Sequence, residues 1–142
     1  MLLWFIILQK VNMRDIKIIN APLSVDVRVI SKEEGYDTVV YRLIKDYSVE
    51  FMLDGKLEIL GVTSGMDFDE DSVPRIPFLY AAAKGISSGV PATTHDFIYK
   101  NNTYPRAVCD ALYYNLMLHC GVDKWKALPI YTAVRALGGS HY

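Results

Sequence analysis

The hydrophobic pattern of this chain changes its period near residue 65, and this change constrains the fold more than any other feature. Before that point apolar and polar residues alternate, as in residues 24–30, where Val25, Val27 and Val29 share one face. Alternation of this kind is typical of β-strands with one buried face. After that point apolar residues recur at helical spacing. Because strands precede helices instead of alternating with them, we expect an α+β fold.

The first part of the chain predicts antiparallel strands. They cover residues 16–19, 24–30, 38–44, 46–53 and 57–62. Asp54-Gly55 separates the last two strands, and this dipeptide is a strong signal for a tight hairpin turn. Residues 32–35, Lys-Glu-Glu-Gly, predict another turn.

The second part predicts a bundle of three to four helices, over residues 76–84, 91–100, 103–120 and 123–137. Residues 85–89 form a flexible loop in this interpretation, and Gly121 ends the third helix. Thr103 is expected to cap that helix, with Pro105 in its first turn. Pro129 should kink the last helix unless that helix starts later.

Size and charge restrict the classes of protein. The chain has 142 residues, of which 51% are hydrophobic, and its net charge is −1. This length fits a single domain over residues 1–142 with a packed core. We divide it into an apolar arm (1–12), a strand-rich part (13–65) and a helical part (66–142). Because no basic field is present, we expect no nucleic-acid partner.

The first eight residues are continuously apolar. They are too few to span a membrane, which takes about 20, and no signal-peptide pattern is clear. Three interpretations remain open for this arm: an edge strand, partner-binding arm or start-site artefact with Met13 as the alternative start; a buried helical turn; or a membrane-directed segment.

The two cysteines, Cys109 and Cys120, fall on one predicted helix. A rise of about 1.5 Å per residue separates them by roughly 16 Å, which is too far for a disulfide. We expect two buried free thiols in a reducing compartment.

An acidic stretch over residues 66–75 carries Asp67, Asp69 and Asp71 at alternate positions. An EF-hand loop would need Gly and Glu where this chain has Ser72 and Phe78, so that motif is excluded. Two interpretations remain: a solvated turn, or carboxylates that join a looser site for a hard cation. In the second, Asp69 and Asp71 are metal ligands together with Asp96 of the following helix.

The strongest chemical signal is a group of polar residues on two neighbouring predicted helices. His95 and Tyr99 share a face of the first helix, with Asp96 beside them, and Asp110 lies on the second. A short break between the helices favours antiparallel packing, which would bring Asp110 to His95. A carboxylate on one imidazole nitrogen raises the basicity of the other, which could then deprotonate a water molecule. Alternatively, the pair only staples the two helices together.

The chain from residue 69 to residue 137 resembles DUF1353, a family of small bacteriophage and prophage proteins of unknown function. The shared marks are Asp69, Ser72 to Arg75, His95-Asp96, Tyr99, Cys109-Asp110, Tyr113, Trp125 and Tyr131 to Arg135. This resemblance implies a phage source. The expected location is the host cytoplasm during phage production, with association to the virion as a further option.

The helix pair is also similar to that of secreted phospholipase A2. This likeness rests on His95-Asp96, Tyr99 and Asp110. It implies that His95 is the general base, that Asp110 orients it with support from Tyr99, and that Asp96 holds Ca²⁺. The Gly-rich calcium loop of that family is not evident upstream, although residues 66–75 could replace it, and its disulfides have no counterpart here.

Two functions therefore stay open. One is a calcium-assisted ester hydrolase that acts on lipid of the envelope during infection. The other is a non-enzymatic virion, tail or assembly protein that contacts phage structural proteins, or a factor that binds a host protein. The strand-rich first part and the ten tyrosines favour contact surfaces of the second kind.

Overall fold

The computed structural model describes residues 11–23, 26–32, 39–69 and 89–137. Within them the chain forms antiparallel strands followed by three helices, which confirms the α+β prediction. The strands are β1 (Met13–Ile19), β2 (Val27–Lys32), β3 (Val39–Leu43), β4 (Tyr47–Leu53), β5 (Lys56–Val62) and β6 (Asp67–Asp69). The helices are α1 (Val90–Asn101), α2 (Arg106–His119) and α3 (Lys124–Leu137).

The strands form two antiparallel sheets, one in the order β1-β4-β5 and the other in the order β2-β3-β6. The hairpin between β4 and β5 turns at Asp54 (φ 51°) and Gly55 (φ 79°). Both residues lie in the left-handed region that a tight primed turn requires, and Gly and Asp tolerate it well. The predicted hairpin is therefore confirmed.

The first sheet and the hairpin of α1 and α2 enclose the main core. Strand β4 alternates, and it buries Tyr47, Val49 and Phe51 on the side that faces the helices. Ile98 of α1 and Leu112 of α2 are fully buried in the same cluster. The alternate residues of β4 and the helically spaced apolar residues of α1 and α2 thus pack together in one apolar layer.

Helix α2 also builds a second core with α3. Tyr113 and Met117 of α2 pack with Ile130, Tyr131 and Val134 of α3. Because α2 contacts α1 through one face and α3 through another, it is the central helix of the bundle. A polar residue near its N-terminus can therefore reach both neighbouring helices.

The ends of α1 and α2 follow the predicted breaks only in part. Asn102 caps α1 in the left-handed region, and Gly121 (φ 92°) follows α2 as expected. The predicted cap at Thr103 is wrong, because the residue that precedes α2 is Pro105 and no side chain caps this helix. With Pro105 in an extended conformation (φ −54°, ψ 146°) at the capping position, Thr103 stands two residues too far from the first turn.

Helix α3 begins directly after Asp123, whose carbonyl accepts hydrogen bonds from the N–H groups of Lys126 and Ala127. It continues through Pro129 to Leu137. Proline removes one backbone hydrogen bond there, and the helix tolerates this loss because its apolar face is packed against α2.

Two expectations need correction. Cys109 is buried, as predicted, but Cys120 is exposed, because it follows the last residue of α2 where the chain turns at the surface; both thiols are free. The acidic stretch begins as strand β6, paired with β3, and not as a loop. The N–H of Leu43 donates to the carbonyl of Met66, and the N–H of Gly65 donates to the carbonyl of Leu43. These backbone hydrogen bonds place the start of β6 beside the end of β3.

Several predictions lie outside the described residues. They are most of the apolar arm, the greater part of the turn at 32–35, the helix at 76–84, most of the loop at 85–89, Asp71 and the last five residues. Among the helices that the structure describes, none has the length and hydropathy needed to span a membrane.

Candidate functional site

The α1–α2 hairpin brings His95 and Asp110 into direct contact. Nε2 of His95 lies 2.8 Å from Oδ1 of Asp110. Only 3% of His95 is exposed, and Asp110 is fully buried. Residues 102–105 connect the two helices, and this short link makes them antiparallel neighbours. The contact that the sequence predicted between the two helices is therefore present.

Tyr99 supports the pair from the next turn of α1. Its hydroxyl donates a hydrogen bond of 2.6 Å to the same Oδ1 of Asp110. Its ring lies 4.3 Å from the imidazole of His95, and the ring of Tyr113 stacks on the imidazole at 4.5 Å. Both tyrosine rings therefore contact the imidazole and restrict its orientation.

The second carboxylate oxygen of Asp110 binds arginine. Nη1 of Arg135, near the C-terminal end of α3, donates to Oδ2 at 3.0 Å. Nε of Arg106, one turn before Asp110 on α2, lies 3.7 Å from Oδ2. All three helices therefore meet at one carboxylate.

The sequence analysis did not assign either arginine to the site. Arg106 could have been found, because it stands four residues before Asp110 on one predicted helix, where opposite charges pair. Arg135 appeared only as part of a family motif. Its separation of 25 residues from Asp110 gives no local signal, and only the packing of α3 against α2 brings them together.

The carboxyl group of Asp110 is ionised despite its burial. Burial by itself would raise the pKa of Asp110, but the hydrogen bonds from His95 and Tyr99 and the contact with Arg135 outweigh it, and the pKa falls below its ordinary value of 3.8. An ionised carboxylate only accepts hydrogen bonds, so the proton between the two groups belongs to Nε2 of His95. This tautomer leaves a lone pair on Nδ1, which makes no hydrogen bond within the part of the chain that the structure describes.

The neighbouring hydroxyl and thiol stay protonated. Burial, followed by the contact with Asp110, raises the pKa of Tyr99 well above its usual range. Burial also raises the pKa of Cys109, whose thiol donates a weak hydrogen bond of 3.7 Å to the carbonyl of His95. Both groups therefore act as neutral donors at physiological pH, and Cys109 does not have the properties of a nucleophile.

A further buried bond fixes the first turns of α1. The hydroxyl groups of Tyr47 on β4 and Thr94 lie 2.6 Å apart. Thr94 precedes His95 in sequence, so this bond ties the part of α1 that carries the imidazole to the sheet. No local sequence pattern indicates this bond, because Tyr47 and Thr94 are 47 residues apart.

Of the three predicted metal ligands, only Asp96 has a side chain within the described part of the structure. Asp96 follows His95 on α1 and contacts Nζ of Lys100 at 3.5 Å, with 26% of its side chain exposed. The backbone of Asp69 pairs with Val40 in β6, and Asp71 lies outside the described residues.

A different group has the geometry of a metal site. In the described chain, one ligand atom each of His95, Cys109 and Asp110 lie within 4.8 Å of one another. A thiol and an imidazole suit Zn²⁺ better than Ca²⁺, which prefers oxygen ligands. Because His95 and Asp110 already bind each other and the thiol is protonated, their hydrogen bonds account for this cluster without a metal.

Comparison with known proteins gives one match. A family model described as a protein of unknown function, DUF1353, matches residues 41–134. No curated protein and no solved structure matches the chain significantly. The matched region extends from β3 into α3 and contains His95, Tyr99 and Asp110.

Proposed function

We propose that this chain, which belongs to the DUF1353 family of proteins of unknown function, is a hydrolase. His95 is its proposed general base. One observation carries the proposal: an ionised Asp110 holds Nε2 of His95 at 2.8 Å and thereby sets the tautomer that leaves Nδ1 as an acceptor. A histidine oriented in this way by a carboxylate can take a proton from water while the carboxylate stabilises the resulting imidazolium.

The proposed substrate is an ester in lipid. This part rests on the likeness of the helix pair to phospholipase A2, in which the order of His95, Asp96, Tyr99 and Asp110 is matched. The contacts of His95 and Tyr99 with one oxygen of Asp110 support it. In a phage, such an enzyme would act on the host envelope during entry or release.

Calcium is the proposed cofactor, with Asp96 as the ligand next to the base. Asp96 is partly exposed on α1, and carboxylate oxygens suit this hard cation. Asp69 and Asp71 are the proposed additional ligands. When bound, Ca²⁺ would polarise the ester carbonyl.

Hydrolysis by variants of the base tests the proposal. Purified protein is mixed with phospholipid vesicles and with short-chain esters, with and without added Ca²⁺, and released fatty acid is measured. We expect His95→Gln to lower kcat by about 10²- to 10⁴-fold, the usual contribution of a general base. His119→Gln is the matched control, since His119 is exposed at the end of α2 and should keep full activity. If the parent and His95→Gln release fatty acid equally slowly, the hydrolase proposal is wrong.

The metal requires its own comparison. Asp96→Asn should abolish any calcium-dependent rise in Tm and in activity, whereas Asp123→Asn, at an exposed position before α3, should leave both unchanged. A parent protein whose Tm and activity do not respond to Ca²⁺ would remove calcium from the proposal while leaving the base in place.

The second candidate is a non-enzymatic phage protein. It is favoured by the burial of His95, which is 3% exposed and contacts two tyrosine rings, as suits a residue that only joins two helices. Quantitative mass spectrometry of purified particles tests this candidate, which predicts a fixed copy number per virion. Absence from particles, with normal particle yield from a deletion strain, would contradict it.

A further inference from the structure

We propose that Arg135 is a positioning residue for the His95–Asp110 pair, and that Arg106 locks the end of α3 so that Arg135 can perform this role. The catalytic consequence rests on the proposed function. The positional claim concerns the geometry of the pair itself and can be tested without any turnover.

The two oxygens of Asp110 have separate partners. Oδ1 accepts from His95 and Tyr99, and Oδ2 accepts from Arg135 at 3.0 Å. A carboxylate held at one oxygen alone can still rotate about its bond to Cβ. With Oδ2 held from α3, this rotation is blocked, and Oδ1 stays aimed at the imidazole. Hydrogen bonds between charged groups are stronger than neutral ones, so this contact suits the task.

Arg106 fixes the position from which Arg135 reaches the carboxylate. Its Nη2 donates to the backbone carbonyls of Val134 and Arg135 at 2.7 and 2.6 Å. Carbonyls in the last turn of a helix lack partners within that helix, and a cation there also interacts favourably with the helix dipole. Arg106 therefore holds the last turn of α3 against the start of α2.

The guanidinium of Arg106 also contacts the site. Nε of Arg106 donates to the hydroxyl of Tyr99 at 3.3 Å. One side chain thus touches the last turn of α3 and the tyrosine that supports the pair, and lies near Asp110. The side chains of both arginines are about one-fifth to one-quarter exposed, at 25% for Arg106 and 21% for Arg135. Solvent screens their charges in part, so the direction of their hydrogen bonds matters more than their charge alone.

A role in charge neutralisation alone makes the opposite kinetic prediction. An arginine beside Asp110 weakens the stabilisation of an imidazolium by that carboxylate. If this were its only effect, removal of Arg135 would strengthen the stabilisation of the imidazolium by Asp110 and would raise kcat. If Arg135 positions the carboxylate, its removal lowers kcat because the pair loses its alignment.

Proton NMR tests the positional claim directly. The proton on Nε2 of His95 should give a resonance far downfield in the parent, since it lies in a short bond to a carboxylate. We expect Arg135→Gln to shift this resonance upfield or broaden it, and Arg135→Lys to keep more of the parental signal. Arg14→Gln is the matched control, because Arg14 lies on β1 with a side chain 66% exposed and should leave the resonance in place. A parental resonance that persists unchanged in Arg135→Gln would overturn the proposal.

Kinetics provide the second measurement if the parent is active. Arg135→Ala should lose about tenfold in kcat, equivalent to about 1.4 kcal/mol, with KM little changed. Added guanidinium should restore part of the loss, because it can occupy the vacated position next to Oδ2. A rise in kcat, or no rescue together with an unchanged NMR resonance, would contradict positioning. An inactive parent whose NMR signal responds as expected would refute the hydrolase and keep the positioning claim.

Discussion

Two aspartates on neighbouring helices differ sharply in their surroundings. Asp110 is fully buried at the junction of three helices, with His95, Tyr99 and Arg135 bound to its two oxygens. Asp96 on α1 has 26% of its side chain exposed and forms an ion pair with Lys100, four residues later, whose side chain is 50% exposed. The sequence assigned chemistry to both residues.

The difference between the two aspartates shows that a carboxylate sets the orientation of a neighbouring side chain only where it is buried. At the junction, water is excluded and each hydrogen bond is strong, so that Asp110 sets both the tautomer and the orientation of an imidazole. At the surface, solvent screens the pair of Asp96 and Lys100, and such pairs add little to stability. A metal would be needed to give Asp96 a comparable influence.

The largest contrast is expected in stability. Asp110→Ala leaves His95, Tyr99 and Arg135 without their shared acceptor, and breaking a buried ion pair costs about 3–5 kcal/mol. Asp96→Ala should change the free energy of unfolding by no more than about 0.5 kcal/mol. Urea unfolding at pH 7 measures both. Equal losses in the free energy of unfolding for the two variants would mean that buried Asp110 stabilises the fold no more than partly exposed Asp96.

The next largest effect is expected in how the stability contributed by Asp110 depends on pH. The pKa of Asp110 is lower in the folded state than its ordinary value of 3.8. The unfolded chain therefore binds this proton more tightly, and the stabilisation is complete above 3.8 and is lost as the pH falls toward the lower folded-state pKa. The stability difference between the parent and Asp110→Asn should accordingly shrink below that pH. Urea titrations from pH 7 to pH 3 test this, and a difference that grows on acidification would contradict it.

A smaller loss in the free energy of unfolding is expected for Tyr99→Phe. This substitution removes the hydroxyl that donates to the charged Asp110 and keeps the ring against His95. A hydrogen bond to a charged group contributes about 1.5–3 kcal/mol. Tyr47→Phe removes a bond between two neutral hydroxyls and should cost about 0.5–1.5 kcal/mol. Thermal unfolding of both variants compares a charged with a neutral buried bond. A greater loss for Tyr47→Phe would mean that the carboxylate adds no strength to its bond with Tyr99.

The smallest effect is expected at the surface. Lys100→Ala removes the contact with Asp96 and should cost about 0.3–0.5 kcal/mol, which salt should erase. Unfolding at low and high ionic strength measures this. A loss well above 1 kcal/mol that persists in high salt would place Asp96 in a tighter network than its exposure indicates.

Much of this arrangement could be predicted from local sequence. The Asp54-Gly55 turn, the alternating residues of β4 and the spacing of His95 and Tyr99 are properties of short segments. Antiparallel packing of α1 and α2 follows from the short link, and it made His95 the natural partner of Asp110. The cap at Thr103 failed because Pro105 set the backbone at the start of α2, which a propensity for capping cannot override.

By itself, the sequence determined the strands, the helices and the pairing of His95 with Asp110, because each depends on the spacing of residues close along the chain. Tertiary structure alone decided that Arg135 binds Asp110, that the ring of Tyr113 stacks on His95, and that Asp110 is buried while Asp96 is partly exposed. The physical reason is that burial and long-range contact depend on how α2 packs between its neighbours, and this packing comes from the summed fit of two apolar cores and not from any one motif.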